Sequence, residues 1–275
     1  MLHPPFPANQ QGFSLVELSI VLVILGLLVG GVLTGQSLIR AAQLRGITTQ
    51  VDQYAAASKS FRDKYLYLPG DLPNATSFWP VNPSGCPSGG GTVGTCNGDG
   101  DGGIDYISLV AVTNRGCEAS EVWKHLSFAG LISGSYSTQT AASCYGLLAL
   151  GTTLPQSKLS DAYWEVIRLP EPLTGSGSGS TAQTFFAGTG GNVLALGGGS
   201  SANYWNISPS SLKAEEAWNI DTKMDDGKPS TGKVTVPRDD GVGGANCVNE
   251  AATGGPAFEL TLSSSRCTML FMNIF

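Results

Sequence analysis

Gly12-Phe13-Ser14-Leu15-Val16-Glu17 opens the stretch that decides how this chain is built, residues 13–33, which read FSLVELSIVLVILGLLVGGVL. A single charge, Glu17, interrupts this apolar run. At about 1.5 Å of rise per residue, a helix of that length spans about 30 Å, the thickness of the hydrocarbon layer of a bilayer. The twelve residues before it, MLHPPFPANQQG, contain no Lys or Arg. A secretory signal peptide begins with basic residues, has a shorter apolar run and ends at a small-x-small cleavage site. None of these is present, so the segment reads as a retained membrane helix.

The helical pattern continues past the apolar run. Ile47, Val51, Tyr54, Ser58, Phe61 and Tyr65 recur at spacings of four and three, which places them on one face of a helix. Arg40, Arg45, Asp52, Lys59, Arg62 and Lys64 fill polar positions around that face. There is no proline between Phe13 and Leu68, and Pro69-Gly70 supplies a stop. The expectation is one helix from about Phe13 to about Leu66, roughly 80 Å long, apolar on every side in its first half and amphipathic in its second.

Glu17 stands out within the span. An ionisable group near the centre of a membrane costs at least about 2.5 kcal/mol. Either it lies near the interface and reaches water, or it meets a positive partner in the apolar layer. Cutting the chain after Gly12 would create such a partner, the α-amino group of Phe13. Taken together, the glycine, the phenylalanine, the glutamate spacing and the glycine-punctuated apolar run resemble the N-terminal motif of type IV prepilins and pseudopilins. The resemblance implies that a prepilin peptidase cleaves after Gly12 and methylates Phe13. It also implies that Glu17 neutralises the amine of a neighbouring subunit in a filament. Two features depart from the family's usual pattern: the leader offers only His3 in place of a basic residue, and Gly26, Gly30, Gly31 and Gly35 stand where many pilins have a proline.

The chain divides accordingly into a leader (1–12), a long helix (13–66, with 13–33 crossing the membrane) and a head (67–275). The full sequence has 275 residues with a formal charge of −6, and the head alone holds 10 basic and 18 acidic residues. That balance offers no broadly basic surface, so no nucleic-acid partner is predicted. Runs at 163–169, 184–187, 192–196, 233–236 and 258–262 read as strands. Helices are expected at 119–129 and from the Ser208-Pro209 pair to about Met224. Gly188–Gly191 and Gly197–Gly199 read as strand-end turns, the 175–180 Gly-Ser repeat as a hairpin tip, and the five tryptophans (Trp79, Trp123, Trp164, Trp205 and Trp218) as core.

The six cysteines fit an oxidising compartment. Cys86 and Cys96 bracket a glycine-rich loop, Cys247 and Cys267 flank the last hairpin, and Cys117 and Cys144 remain. Pairing in those three couples is one of fifteen possible connectivities. A closing Cys247–Cys267 loop would also resemble the disulfide-bounded C-terminal region of many pilins. No CxxC pattern points to zinc.

Asn97-Gly98-Asp99-Gly100-Asp101-Gly102-Gly103-Ile104-Asp105 matches the first nine positions of an EF-hand-like calcium loop. Asn97, Asp99, Asp101 and Asp105 are the candidate ligands, with a solvated turn as the alternative. Ser108 stands at the twelfth position in place of the bidentate glutamate, so Glu118 or Glu121 would have to complete the shell. Ile220-Asp221-Thr222-Lys223-Met224-Asp225-Asp226-Gly227-Lys228-Pro229 resembles a stretch seen in large-headed pilin-like proteins. Asp225 and Asp226 there face the negative end of a helix dipole, which calls for a compensating cation or hydrogen bonds, unless they only cap turns and solubilise a loop.

Catalysis finds little support. His3 lies in the leader, His125 is expected at a helix surface, and there is no GxSxG, Walker or HExxH motif. The expected fold is α+β and type IV pilin-like: the amphipathic half of the long helix packs on an antiparallel head sheet. The expected function is structural and non-enzymatic, with no required cofactor and calcium as a possible one. The expected partners are a prepilin peptidase, other pilin or pseudopilin subunits and the inner membrane, with the head in the periplasm or on the cell surface. A type II secretion pseudopilin and a membrane-anchored periplasmic binding protein are the alternatives.

Overall fold

The computed structural model describes residues 12–83, 86, 93–104, 118–137, 151–169, 190–199, 207–208, 212–237, 247–250, 252, 254–261 and 267–275. The chain forms two compact units, Met1–Gln43 and Leu44–Phe275. The first unit, as described, is helix from Leu15 onward. Its large apolar side chains, including Leu18, Ile24, Leu28 and Leu33, are all at least half exposed. The helix, α1, covers Leu15–Tyr65.

In the second unit, the residues with period 3.6 in α1 are the buried ones: Ile47, Val51, Tyr54, Ser58 and Phe61, joined by Gln50 and Ala57. Tyr65, expected on the same face, is half-buried. Tyr54 meets Trp123 and Trp164 edge-on, with centroids 5.0 and 5.7 Å apart. Edge-to-face pairs of this kind add to the burial of the rings themselves. Gln50, a polar residue on the buried face, is matched by backbone. Its Oε1 accepts the Lys158 N–H at 3.0 Å, and its Nε2 donates to the Gln156 carbonyl at 3.4 Å. Its burial therefore leaves no amide group unsatisfied.

The head sheet is antiparallel, in the order β1 (Ala162–Leu169), β2 (Gly191–Gly199), β7 (Met269–Phe271) and β4 (Val234–Thr235), with β3 (Ile207–Ser208) on the end of β2. Register follows the period of two. Trp164 opposes Leu196, Val166 opposes Leu194, and Leu194 opposes Phe271, all feeding the core that α1 joins. The alternate residues Ile167, Leu169, Val193, Ala195 and Leu270 form a second buried cluster. Both faces are thus apolar, which explains why β1 and β2 read as near-continuous hydrophobic runs. β5 (Val248–Asn249) and β6 (Ala257–Phe258) make a separate hairpin. The disulfide Cys247–Cys267 lies beside it, and Cys86–Cys96 closes the glycine-rich loop, both as paired from the sequence. Cys117 and Cys144 lie outside the described residues.

The helix expected at 119–129 is α2, Glu118–Phe128, with Val122, Trp123 and Leu126 buried. Several expectations need correction. The helix expected from Ser208 starts at Ala214 instead and is α3 (Ala214–Met224). Ser208 instead pairs with Gly198 in the sheet, and the Leu212 carbonyl accepts the Cys267 N–H at 2.8 Å, so both residues are committed to long-range bonds. Gly191 and Gly197–Gly199 are strand residues rather than turns, with Gly197 opposite Tyr163. The 233–236 run narrows to Val234–Thr235, because Val236 N–H turns to the Pro229 carbonyl. Of the 258–262 run, Phe258 alone is in a strand, β6, which begins one residue earlier at Ala257; residues 259–261 are not strand and 262 lies outside the described residues. Trp123 and Trp164 are core, but Trp79 is half-buried and Trp218 is 39% exposed. The 184–187 strand, the 175–180 loop, Gly188 and Trp205 lie outside the described residues.

Candidate functional site

Three places carry the side chains singled out by the sequence. The first is the start of α1. Gly12 and Phe13 precede the helix and are exposed, Phe13 by 88%. Ser14 caps the helix: its Oγ accepts the Val16 N–H at 3.2 Å, while Glu17 Oε2 reaches back to the Ser14 N–H at 2.8 Å. This is a capping box, in which two otherwise unbonded amides of the first turn are satisfied. Glu17 also sits where the positive end of the helix dipole favours a carboxylate. Ser-x-x-Glu at 14–17 is a signal that the sequence carries locally.

The second place is the acidic loop at 97–104. The structure brings Asp99 and Asp101 together with Asp71, whose carboxylates each place an oxygen within 4.8 Å of the others. Asn97 does not join them, since its Oδ1 accepts the Thr76 N–H at 2.9 Å. Asp105 and Ser108 lie outside the described residues. Asp71 was not foreseen, because it is brought to the loop by tertiary folding and no local pattern announces it. Its two oxygens accept the Gly100 and Gly102 amides at 2.6 and 2.9 Å. Burial pushes its pKa up to about 6; the two amides oppose the rise and the nearby Asp99 and Asp101 add to it.

Asp101 accepts the Gly103 amide at 2.7 Å and pairs with Arg168 at 3.1 Å. Against a burial penalty, these partners hold its carboxyl below the usual aspartate range. A Cβ at Gly103 would overlap the Arg168 guanidinium where it now lies, so a larger residue there would displace that side chain from Asp101. Of the two residues expected to complete the shell, Glu118 lies against the loop and Glu121 does not. Glu118 Oε1 accepts the Asp99 N–H at 2.9 Å, and Glu121 turns inward to Thr95. Backbone amides and Arg168 thus neutralise much of what a cation would neutralise in this loop.

The third place corrects the reading of His125, which is fully buried and not at the surface. Its Nδ1 accepts the Gly70 N–H at 2.9 Å, which leaves Nε2 protonated and 2.8 Å from Thr95 Oγ1. Thr95 in turn donates to Glu121 Oε2 at 2.7 Å, and the Cys96 N–H reaches the same oxygen at 3.4 Å. Burial lowers the His125 pKa, partly offset by Glu121, and the ring is neutral at pH 7. The group resembles a hydroxyl–imidazole–carboxylate relay but has no exposed atom for a substrate, because Thr95, Glu121 and His125 are each fully buried. It ties α2 to the Cys86–Cys96 loop.

Residues 7–33 match the family described as the prokaryotic N-terminal methylation motif. No curated protein and no solved structure matches the chain. The motif marks a substrate of pilin-type N-terminal processing, and the helix that follows is long and apolar enough to cross a membrane.

Proposed function

We propose that this chain, which carries the N-terminal methylation motif, is a structural subunit of a type IV pilus or a related filament. It is stored in the inner membrane with its head on the periplasmic side. Cleavage after Gly12 frees the α-amine of Phe13, which is then methylated. In the filament, Glu17 exchanges its Ser14 amide for the Phe13 ammonium of a neighbouring subunit. An ammonium–carboxylate pair, charged on both sides, is stronger in an apolar layer than the amide–carboxylate hydrogen bond it replaces. The apolar side chains of residues 15–39 pack against those of other subunits and leave lipid behind.

The observation that carries this reading is the motif match at 7–33, placed at the head of an apolar helix exposed on all sides. Mass spectrometry of the N-terminus of the protein isolated from its host membrane tests it. N-methyl-Phe13 is the expected terminus, and an intact Met1 would leave a simple membrane anchor as the better description. Pilus and secretion pseudopilus use the same chemistry at these residues, so the proposal is the filament role they share.

A further inference from the structure

We propose that Asp221, Asp225 and Asp226 form a structural calcium site that clamps the end of α3 to the turn leading into β4. Each contributes a carboxylate oxygen, and these oxygens lie within 4.8 Å of one another. One ion with oxygen ligands at about 2.4 Å reaches oxygens gathered this closely, and calcium accepts the irregular, water-completed shell that such a set offers where magnesium demands a near-ideal octahedron. The set is oxygen-only, without the His or Cys that would favour a transition metal.

The independent sign of a missing ligand is Asp221 itself. It is fully buried, and neither of its oxygens accepts a hydrogen bond. A buried carboxylate without partners is among the most costly groups a fold can hold. The charged groups acting on it are Asp226 and Asp225, both of its own sign, and the negative end of α3 adds to them. The Gly227 amide offsets part of this without closing a hydrogen bond to either oxygen. The contrast with Asp71 is direct, since both oxygens there are occupied by amides.

The other two carboxylates are already held in place. Asp225 Oδ2 accepts the amides of Lys233 and of Val234, the latter at 3.2 Å. Gly232, at φ +88°, makes room for this approach, because a Cβ there would overlap the Asp225 carboxylate. Asp226 accepts the Lys228 amide at 2.9 Å and the Thr231 hydroxyl at 2.6 Å. Buried Asp221, half-buried Asp225 and exposed Asp226 run from the core to the surface, so an ion can enter from solvent and water can complete its shell.

Calcium titration of the chelator-treated full chain in detergent micelles tests this, with calorimetry giving stoichiometry and affinity. D221N should lower the number of bound calcium ions by one per chain. D226N alters only the exposed rim and leaves the buried group in place, so it should weaken the same step about tenfold or more. Thermal melts of the wild type should rise by several degrees with calcium, and those of D221N should rise less. If the wild type takes up no calcium, or if both variants match it in stoichiometry and affinity, the proposal is overturned. A wild type without calcium uptake would leave Asp221 protonated within the cluster as the explanation of its burial.

Discussion

The two halves of α1 are covalently continuous yet follow opposite rules. Between Leu15 and Ile39 the large apolar side chains point to every side of the helix and are at least half exposed; from Leu44 onward one face alone is apolar and the head core buries it. The first half therefore gains little from the folding of its own chain, and its favourable surroundings are lipid or other subunits. The second half is stabilised by the head, as amphipathic helices in general are. Assembly and folding are thereby assigned to different stretches of one helix.

Substituting Glu17 should break the contrast most visibly. E17A is expected to reduce incorporation into filaments at least tenfold while leaving the melting of the head unchanged; sheared-filament immunoblots and circular dichroism would check the two halves of that statement. Normal assembly of E17A would contradict the pairing with Phe13. The reciprocal change is F61A, on the buried face of the second half. It should destabilise the head by about 3–5 kcal/mol, as measured by denaturant unfolding, with cleavage after Gly12 unaffected.

A smaller effect is expected at the head's closing disulfide, where replacing Cys247 and Cys267 by Ser should cost about 2–4 kcal/mol. Mass spectrometry should still find N-methyl-Phe13 in that variant.

The smallest effect is a pH dependence confined to the head. His125 is held below its ordinary 6.5 in the fold, so below that pH the unfolded chain binds a proton that the folded one refuses. Stability from this residue is complete above pH 6.5 and is lost as the pH falls below it. Asp71 acts with the opposite sign, because its raised pKa makes the folded state hold a proton between 3.8 and about 6. The difference between the melting curves of the wild type and H125Q isolates the histidine. A flat difference from pH 7.5 to 5 would show that the ring is not held neutral.

The two acidic loops repeat the lesson on a smaller scale. Both gather three aspartates, but one gives each oxygen of its buried member, Asp71, a backbone amide and the other leaves both oxygens of Asp221 without a hydrogen bond. The need for a cation differs because hydrogen-bond supply differs.

Read alone, the sequence determined what depends on residues close together in the chain. The span at 13–33, the buried stripe from Ile47 to Phe61, α2 and the methylation motif all follow from local period, length and spacing. The pairing of Cys86 with Cys96 and of Cys247 with Cys267 was also within reach, since each couple brackets one loop. The Ser14–Glu17 capping box was equally local and could have been read. Tertiary structure decided the rest. Asp71 joins the 97–104 loop, Thr95 links Glu121 to His125, and β7 enters the sheet between β2 and β4 through contacts that no local pattern encodes. The late start of α3 and the burial of Asp221 belong to the same class. Short strands of two or three residues have too few positions to show a period, and the burial of a polar group is set by whatever distant segment folds over it.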